Sequence, residues 1–390
     1  GGAEQAGMTP EDVLEIVLVG NPVMHHLLLG IDPIELGGAP FALAIDTAVE
    51  MRASELGLNL HEGSMVYVLP CIAGHVGADA AGVVLAEAPQ TRDDISLLID
   101  VGTNAEIVLG NKDRLLAASS PTGPAFEGAQ ISAGQRAAPG AIERLRIDPE
   151  TLEPRYSVIG SDIWSDEAGF DDAVANSGIT GICGSGIIEA LGEMYLSGII
   201  TAEGVIDGSL ASRTDRIIED GRTFKYQITD TVSILQNDVR AIQLAKAALH
   251  AGFRLLMDKM SLERVDRVIL AGAFGSYIDP KYAMVLGMVP DCPLDKVIAA
   301  GNSAGAGARM ALLNIDQRQM IEATVRQIEK IETAVEADFQ NHFVRAMAFP
   351  HKTDPYPCLS AAVVLPPRDL SDNVASADNP GRRRGGRRKG

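Results

Sequence analysis

Residues 95–120 of this 390-residue chain constrain its fold more than any other stretch. Ile95–Ile99 is an apolar run fit for a buried strand, Glu106–Leu109 a second and Leu115–Ala118 a third. The links, Asp100-Val101-Gly102-Thr103-Asn104 and Asn111-Lys112-Asp113, are short and polar, so the three strands read as an antiparallel meander. Farther on the pattern changes. Strand Arg267–Leu270 enters Ala271-Gly272-Ala273-Phe274-Gly275, and strand Val297–Ala300 enters Gly301-Asn302-Ser303-Ala304-Gly305, with a helix after it. A meander followed by βα units is an α/β organisation.

Other segments fit around this frame. Glu15–Val19 and Met65–Leu69 read as strands, followed by a helix-like stretch Val23–Leu29 and a Gly/Ala-rich helix Gly74–Glu87. Residues 13–90 therefore look like the βα units of a second such module without its meander. Ile142–Ile147 and Tyr156–Ile159 read as an inserted hairpin, Gly184–Leu196 and Asn237–Lys259 as helices, and 316–346 as a charged helical region. Little regular structure is expected after about residue 368. The division that follows is 1–92, 93–346 and a mostly irregular tail, 347–390.

Composition narrows the class. Forty glycines and only 4% aromatic residues suit close-packed α/β layers better than a β-sandwich. A formal net charge of −19 argues against nucleic acid as the main partner. The end of the chain departs from this, with Arg382, Arg383, Arg384, Arg387, Arg388 and Lys389 among glycines. It reads as a solvated, disordered tail, or else as an arm for an acidic partner. Cys71, Cys183, Cys292 and Cys358 form no Cys-x-x-Cys pair, so an iron–sulfur cluster or zinc site built from cysteines of this chain alone is not expected. Their spread suits a reducing compartment, hence a cytoplasmic location. No apolar run reaches about 18 residues, the length a membrane span needs. The opening Gly1-Gly2-Ala3-Glu4 lacks a signal peptide and an initiator Met and reads as a fragment or processed form.

The candidate chemistry lies in four glycine-rich places. In the first turn, Asp100 ends a buried strand, Gly102 permits close backbone approach, and Thr103 and Asn104 add polar groups. Such a turn makes an anion-binding concavity, and Asp100 suits Mg²⁺ through water. An ordinary Asx-type hairpin turn would use the same residues. Gly181-Ile182-Cys183-Gly184-Ser185-Gly186 opens a helix whose bare N–H groups favour phosphate, or packs tightly against a neighbour. Cys183 reads as a small buried residue, since no paired His is evident. Gly272, Ala273 and Gly275 suit a flat ring lying on backbone, and Asn302 opens the fourth element; both are equally βα turns chosen for packing. Gln243 and Lys246, one helical turn apart, suit ribose and base, or solvent. Glu127 is a candidate facing the phosphates. Asp79 is a candidate for the Mg²⁺ shell, with helix capping as its plain alternative. His25 and His26 read as core or interface histidines.

The order of these elements resembles the ATPase superfamily of actin, heat-shock-protein chaperones and sugar or acetate kinases, with its two ribonuclease-H-like halves. The second lobe is complete here and the first partial. Longer strings are similar to one branch, the ATP-dependent reductive activators of corrinoid proteins. They are Gly20-Asn21-Pro22-Val23-Met24-His25-His26-Leu27-Leu28-Leu29-Gly30, Asp100-Val101-Gly102-Thr103-Asn104-Ala105-Glu106-Ile107, Gly123-Pro124-Ala125-Phe126-Glu127-Gly128, Gly181-Ile182-Cys183-Gly184-Ser185-Gly186 and Gln243-Leu244-Ala245-Lys246. The resemblance implies ATP as a cofactor; beside it, Mg²⁺ is expected from the reading of Asp100, and Asp100 and Glu127 are the candidate catalytic residues. The resemblance also implies a corrinoid-protein partner restored from Co(II) to Co(I), and electrons from a [2Fe–2S] ferredoxin-type domain that this chain does not contain. A homodimer is left open. Two departures stand out: the first-half Asp-x-Gly-Thr-Thr hairpin is missing, and the usual Gly-Asn-Thr-Thr is Gly-Asn-Pro-Val here. An activator of a radical dehydratase, a small-molecule kinase and a non-catalytic nucleotide-binding scaffold are the alternative readings.

Overall fold

The structure, a computed structural model, describes residues 2–275 and 277–367. The basic Arg/Gly segment at 382–389 lies outside the described residues.

Near the start of the chain, β1 (Glu15–Leu18), β2 (Val49–Arg52) and β3 (Met65–Val68) form a small sheet in the order β1-β3-β2. β1 runs parallel and β2 antiparallel to β3. The alternation of half-buried and exposed residues in β2 marks an edge strand, and its single turn of pattern was too short to stand out in the sequence.

The meander is then built as expected. β4 (Ser96–Val101), β5 (Ala105–Gly110) and β6 (Leu115–Ser120) pair antiparallel, with Asp100 opposite Glu106 and Val101 opposite Ala105. β7 (Ala141–Ile147) and β8 (Pro154–Val158) form the hairpin, joined by the short parallel β9 (Gly181–Ile182). A further antiparallel sheet, β10 (Ile217–Asp220), β11 (Thr223–Gln227) and β12 (Ser233–Leu235), was not expected. Its strands are only three to five residues long, and the alternation of Thr223-Phe224-Lys225-Tyr226-Gln227 in β11 was a strand signal the sequence reading passed over.

β13 (Arg267–Ala271), β14 (Val297–Gly301) and the two-residue β15 (Glu329–Lys330) complete the main sheet, in the order β14-β13-β4-β5-β6-β15. β13 lies parallel to both β4 and β14. A three-stranded meander extended by parallel strands beside its first strand is the ribonuclease-H-like arrangement expected. β15 interrupts the region 316–346, which holds the helices Ile315–Val325 and Phe339–Arg345 rather than one continuous helix.

Strand alternation decides what each face of this sheet meets. Leu97, Ile99 and Val101 join the larger core, which includes Ile242, Leu249 and Phe253 of the long helix Gln236–Lys259. Leu98, Val108 and Ile269 face the other way, onto Ala81, Val84 and Leu85 of the helix Ala78–Glu87. That helix is itself pressed against Ser303–Leu313. A Cβ added at Gly307 would stand 2.0 Å from the Gly82 carbonyl oxygen, so only glycine permits this approach. Residues beyond 346 were expected to be mostly irregular tail, yet Phe349, Tyr356 and Leu359 belong to the larger core.

Candidate functional site

Asp100 and Glu106 occupy directly opposed positions of β4 and β5, on the face that receives the helix Ala78–Glu87. Cross-strand neighbours of an antiparallel pair have their Cβ atoms about 5 Å apart, and like charges placed so repel. The helix adds a third carboxylate, Asp79, in its first turn. Its start is anchored by the Gly20 carbonyl, which accepts the N–H groups of Ala78 (3.0 Å) and Asp79 (3.3 Å). A Cβ on Gly77 would stand 2.7 Å from the Asn21 Cα, so these two loops meet backbone to backbone. Asn21 caps the helix Pro22–Leu28 by accepting the Met24 N–H at 2.9 Å.

These pieces enclose a cleft of about 370 Å³ whose walls include Asn21, His75, Asp79, Asp100, Thr103 and Glu106. Burial pushes the Asp100 carboxyl up to about 6, with the Asp79 charge second. Burial likewise raises Asp79, and raises Glu106 well above the usual carboxylate range, with Asp79 and then Asp100 adding repulsion. Three half-buried carboxyls held in their neutral direction are a donor set that lacks a positive charge. All-oxygen carboxylate donors fit Mg²⁺, so the residues present suit the ion expected from the sequence. Asp79 also accepts the Ala80 N–H at 2.9 Å. It stands in the first turn and is not the helix cap, a position held by Gly77.

At the hairpin tip, the Gly102 N–H donates to the Asn104 carbonyl at 3.0 Å. Thr122 Oγ1 donates to the carbonyls of Gly102 and Thr103, each at 3.1 Å, which braces the turn from β6. Thr103 Oγ1 donates to Glu127 at 2.9 Å. Glu127 in turn lines a second cavity of about 560 Å³, together with Arg136, Cys183, Gly184, Ser185 and Tyr277. The Thr103–Glu127 bond thus joins the carboxylate cleft to the glycine-rich start of the helix Gly184–Leu196.

The glycines divide by role. Gly272, at φ +91°, abuts the turn, and a Cβ there would stand 2.6 Å from Asp100 Oδ1. Gly275 packs over Leu270. The side chain of Ala273 falls outside the described residues. Gly181 and Gly186 serve close packing, against the Ala133 and Ile142 carbonyls respectively. Cys183 is buried as expected, with its Sγ 3.3 Å from Ser185 Oγ. Asn302 caps the helix Ser303–Leu313 by accepting the Gly305 N–H at 2.8 Å.

Gln243 and Lys246 are not brought to either cavity wall. Both are fully buried. Gln243 Nε2 donates to the carbonyls of Glu203 (2.9 Å) and Met347 (2.8 Å). Lys246 Nζ donates to those of Ala348 and Pro350. Together they hold the segment 347–350 against the long helix, an engagement that ribose and base contacts do not share. Glu106 is the site residue the sequence reading passed over. It lay inside a quoted motif, and the register of the tight hairpin was the signal that places it opposite Asp100.

Residues 94–360 match the family described as "C-terminal domain of RACo the ASKHA domain", and residues 2–91 match "RACo middle region". The chain belongs to the RACo family. Its main sheet is therefore the ASKHA fold, the actin, heat-shock-protein and sugar-kinase type expected above, which is a nucleotide-binding fold and implies ATP. The "Corrinoid activation enzyme RamQ" of Eubacterium limosum is 32% identical over 361 residues, covering 89% of this chain and 58% of that protein. The "[Co(II) methylated amine-specific corrinoid protein] reductase" of Methanosarcina barkeri is 28% identical over 291 residues, covering 73% of this chain and 51% of that protein. A solved structure titled "Reductive activator for corrinoid,iron-sulfur protein" superposes with a TM-score of 0.78 at 33% identity, over 90% of this chain and 55% of that one. This RACo-family chain thus spans between half and three-fifths of the length of these relatives. No helix among its described residues is long and apolar enough to cross a membrane.

Proposed function

We propose that this chain is the ATP-binding and ATP-hydrolysing part of a cytoplasmic reductive activator that returns a corrinoid protein from Co(II) to Co(I). The observation that carries this reading is the cleft in which Asp79, Asp100 and Glu106 converge beside the turn Gly102-Thr103-Asn104. In it, Asp100, Asp79 and Glu106 hold Mg²⁺, whose charge neutralises phosphate oxygens when bound. The turn's polar groups and the N–H groups of Gly184, Ser185 and Gly186 line the phosphate path. Glu127, fixed through one oxygen by Thr103, orients the attacking water with the other. Gly272, Ala273 and Gly275 form the backbone wall nearest Asp100, and Asn302 sets the neighbouring helix start. Residues 1–92 supply one side of the cleft as a partial first lobe and 93–346 the other as the second lobe. Electrons come from a [2Fe–2S] domain outside this chain, and the corrinoid protein docks on the nucleotide-closed state. A homodimer is compatible with this scheme.

Calorimetric titration with ATP and Mg²⁺ tests the binding half of the proposal. The chain is expected to bind Mg²⁺-ATP, and Asp100→Asn to weaken that binding at least about tenfold. The full-length protein is then expected to convert a Co(II) corrinoid protein to the Co(I) form, read by its visible spectrum, only with both ATP and a reductant. Absence of nucleotide binding by the chain would overturn the proposal, and binding without ATP turnover in the full-length protein would leave the non-catalytic scaffold reading instead.

A further inference from the structure

Gln243 and Lys246 are engaged by backbone carbonyls, so the ribose and base of a bound nucleotide need other partners. The cavity of about 560 Å³ beside Glu127 is the neighbouring space. Its volume falls within the roughly 300–1,000 Å³ of small-ligand sites. Glu127 connects it to the phosphate turn through Thr103, at 2.9 Å. Gln135, Arg136, Glu143, Ile159 and Tyr277 are among its other walls.

Glu143 is the informative residue. β7 pairs Ile142 with Val158 and Arg144 with Ser157, so Glu143 is the extra residue of a β-bulge. A bulge leaves its extra residue out of the ladder and re-aims the side chain, and bulges gather beside active sites. Here the re-aimed side chain lines the cavity. The Ile142 carbonyl accepts the Cys183 N–H at 3.0 Å, which sets Glu143 beside the start of the helix Gly184–Leu196. Glu143 is half-buried, yet its side chain makes no hydrogen bond or ion pair among the described residues. Its neighbours in β7 behave otherwise, since Arg144 and Arg146 both pair with Glu189. A carboxylate that is partly desolvated and unpartnered is costly, and a solvated surface role does not account for it. Beside a phosphate path it would repel the phosphates and accept hydroxyl groups. Arg136, also without an ion pair among the described residues, lends positive charge to the same wall.

With the nucleotide reading above as the premise, we infer that Glu143 binds the ribose, its two carboxylate oxygens accepting the 2′- and 3′-hydroxyls, and that Tyr277 covers the base. Two oxygens on one carboxylate match a vicinal diol, and an acidic side chain takes the ribose 2′-hydroxyl in dinucleotide-binding folds. Tyr277 follows the turn 272–275, whose first glycine abuts Asp100. It is 60% exposed, which leaves a ring face on which a base stacks. The site therefore selects a ribonucleotide over its 2′-deoxy form.

Calorimetric titration of the chain with Mg²⁺-ATP and with Mg²⁺-2′-deoxy-ATP reads the assignment. The parent is expected to bind the 2′-deoxy form at least about tenfold more weakly, the effect of one lost hydrogen bond to a charged group. Glu143→Ala, its fold checked by circular dichroism, is expected to weaken ATP at least about tenfold and 2′-deoxy-ATP less, so that the ratio between them falls towards one. Glu143→Gln retains an acceptor and should keep part of that ratio. Tyr277→Ala should weaken both nucleotides alike, by about tenfold, and Tyr277→Phe neither. Equal affinity of the parent for the two nucleotides, or a ratio unchanged in Glu143→Ala, would overturn the ribose assignment while leaving Mg²⁺-ATP binding in place. Full affinity in Tyr277→Ala would overturn the base contact. A parent that binds neither nucleotide would overturn both, together with the nucleotide reading.

Discussion

Replacing Asp100 with Asn separates charge from shape at the centre of the cleft. The Asp100 carboxyl stands at about 6 in the folded chain against an ordinary 3.8, and burial is the main cause. Below about pH 4 both folded and unfolded chains carry this proton, and the residue contributes no pH-dependent term. Between about pH 4 and 6 the unfolded chain releases the proton while the folded chain retains it, so stability falls as pH rises. Above about 6 the full penalty applies, and the difference between the two values corresponds to roughly 3 kcal/mol. Asn cannot ionise, so the variant lacks this slope. Its stability relative to the parent should therefore improve by about 2–3 kcal/mol between pH 4 and pH 8 in Mg²⁺-free buffer. The repulsion felt by Glu106 also eases, which acts in the same direction. Urea unfolding of both chains at the two pH values measures the change. Saturating Mg²⁺ should narrow the gap at pH 8 by stabilising the parent more than the variant. Identical pH dependence in parent and variant, or a parent indifferent to Mg²⁺, would refute the reasoning that these carboxyls await a cation.

Other replacements separate packing from ligand contacts. Lys246→Met should cost about 2–5 kcal/mol, because two buried carbonyls lose a charged donor. Unfolding measures that loss, and Mg²⁺-ATP affinity at low temperature should be unchanged; a folded variant with lost affinity would restore Lys246 to the nucleotide. Gly272→Ala should destabilise by about 1–3 kcal/mol through its φ of +91°, and should weaken Mg²⁺-ATP binding because the added Cβ meets Asp100. Gly307→Val should destabilise by about 3 kcal/mol or more in the same unfolding assay, since its Cβ would stand 2.0 Å from the Gly82 oxygen and force the two helices apart.

Local pattern was enough for the meander, the parallel strands and the long helix, because strand alternation, short polar turns and helical periodicity are written in consecutive residues. It even held the opposition of Asp100 and Glu106, since a tight hairpin sets its own register. What local pattern does not carry is which helix covers that face. Asp79 reaches Asp100 because Gly77 and Gly82 let its helix close onto the Asn21 loop and onto Ser303–Leu313, contacts with no trace along the chain. The same limit applies to Lys246 and Gln243, which looked like ligands one turn apart and are engaged by carbonyls about a hundred residues away. The packed segment around Phe349 was missed for that reason too. Consecutive residues carried the meander, the parallel strands and the long helix, with the chemistry these can offer. Tertiary packing alone decided which polar atoms are desolvated together, and so which carboxyls repel one another and which donors are already used.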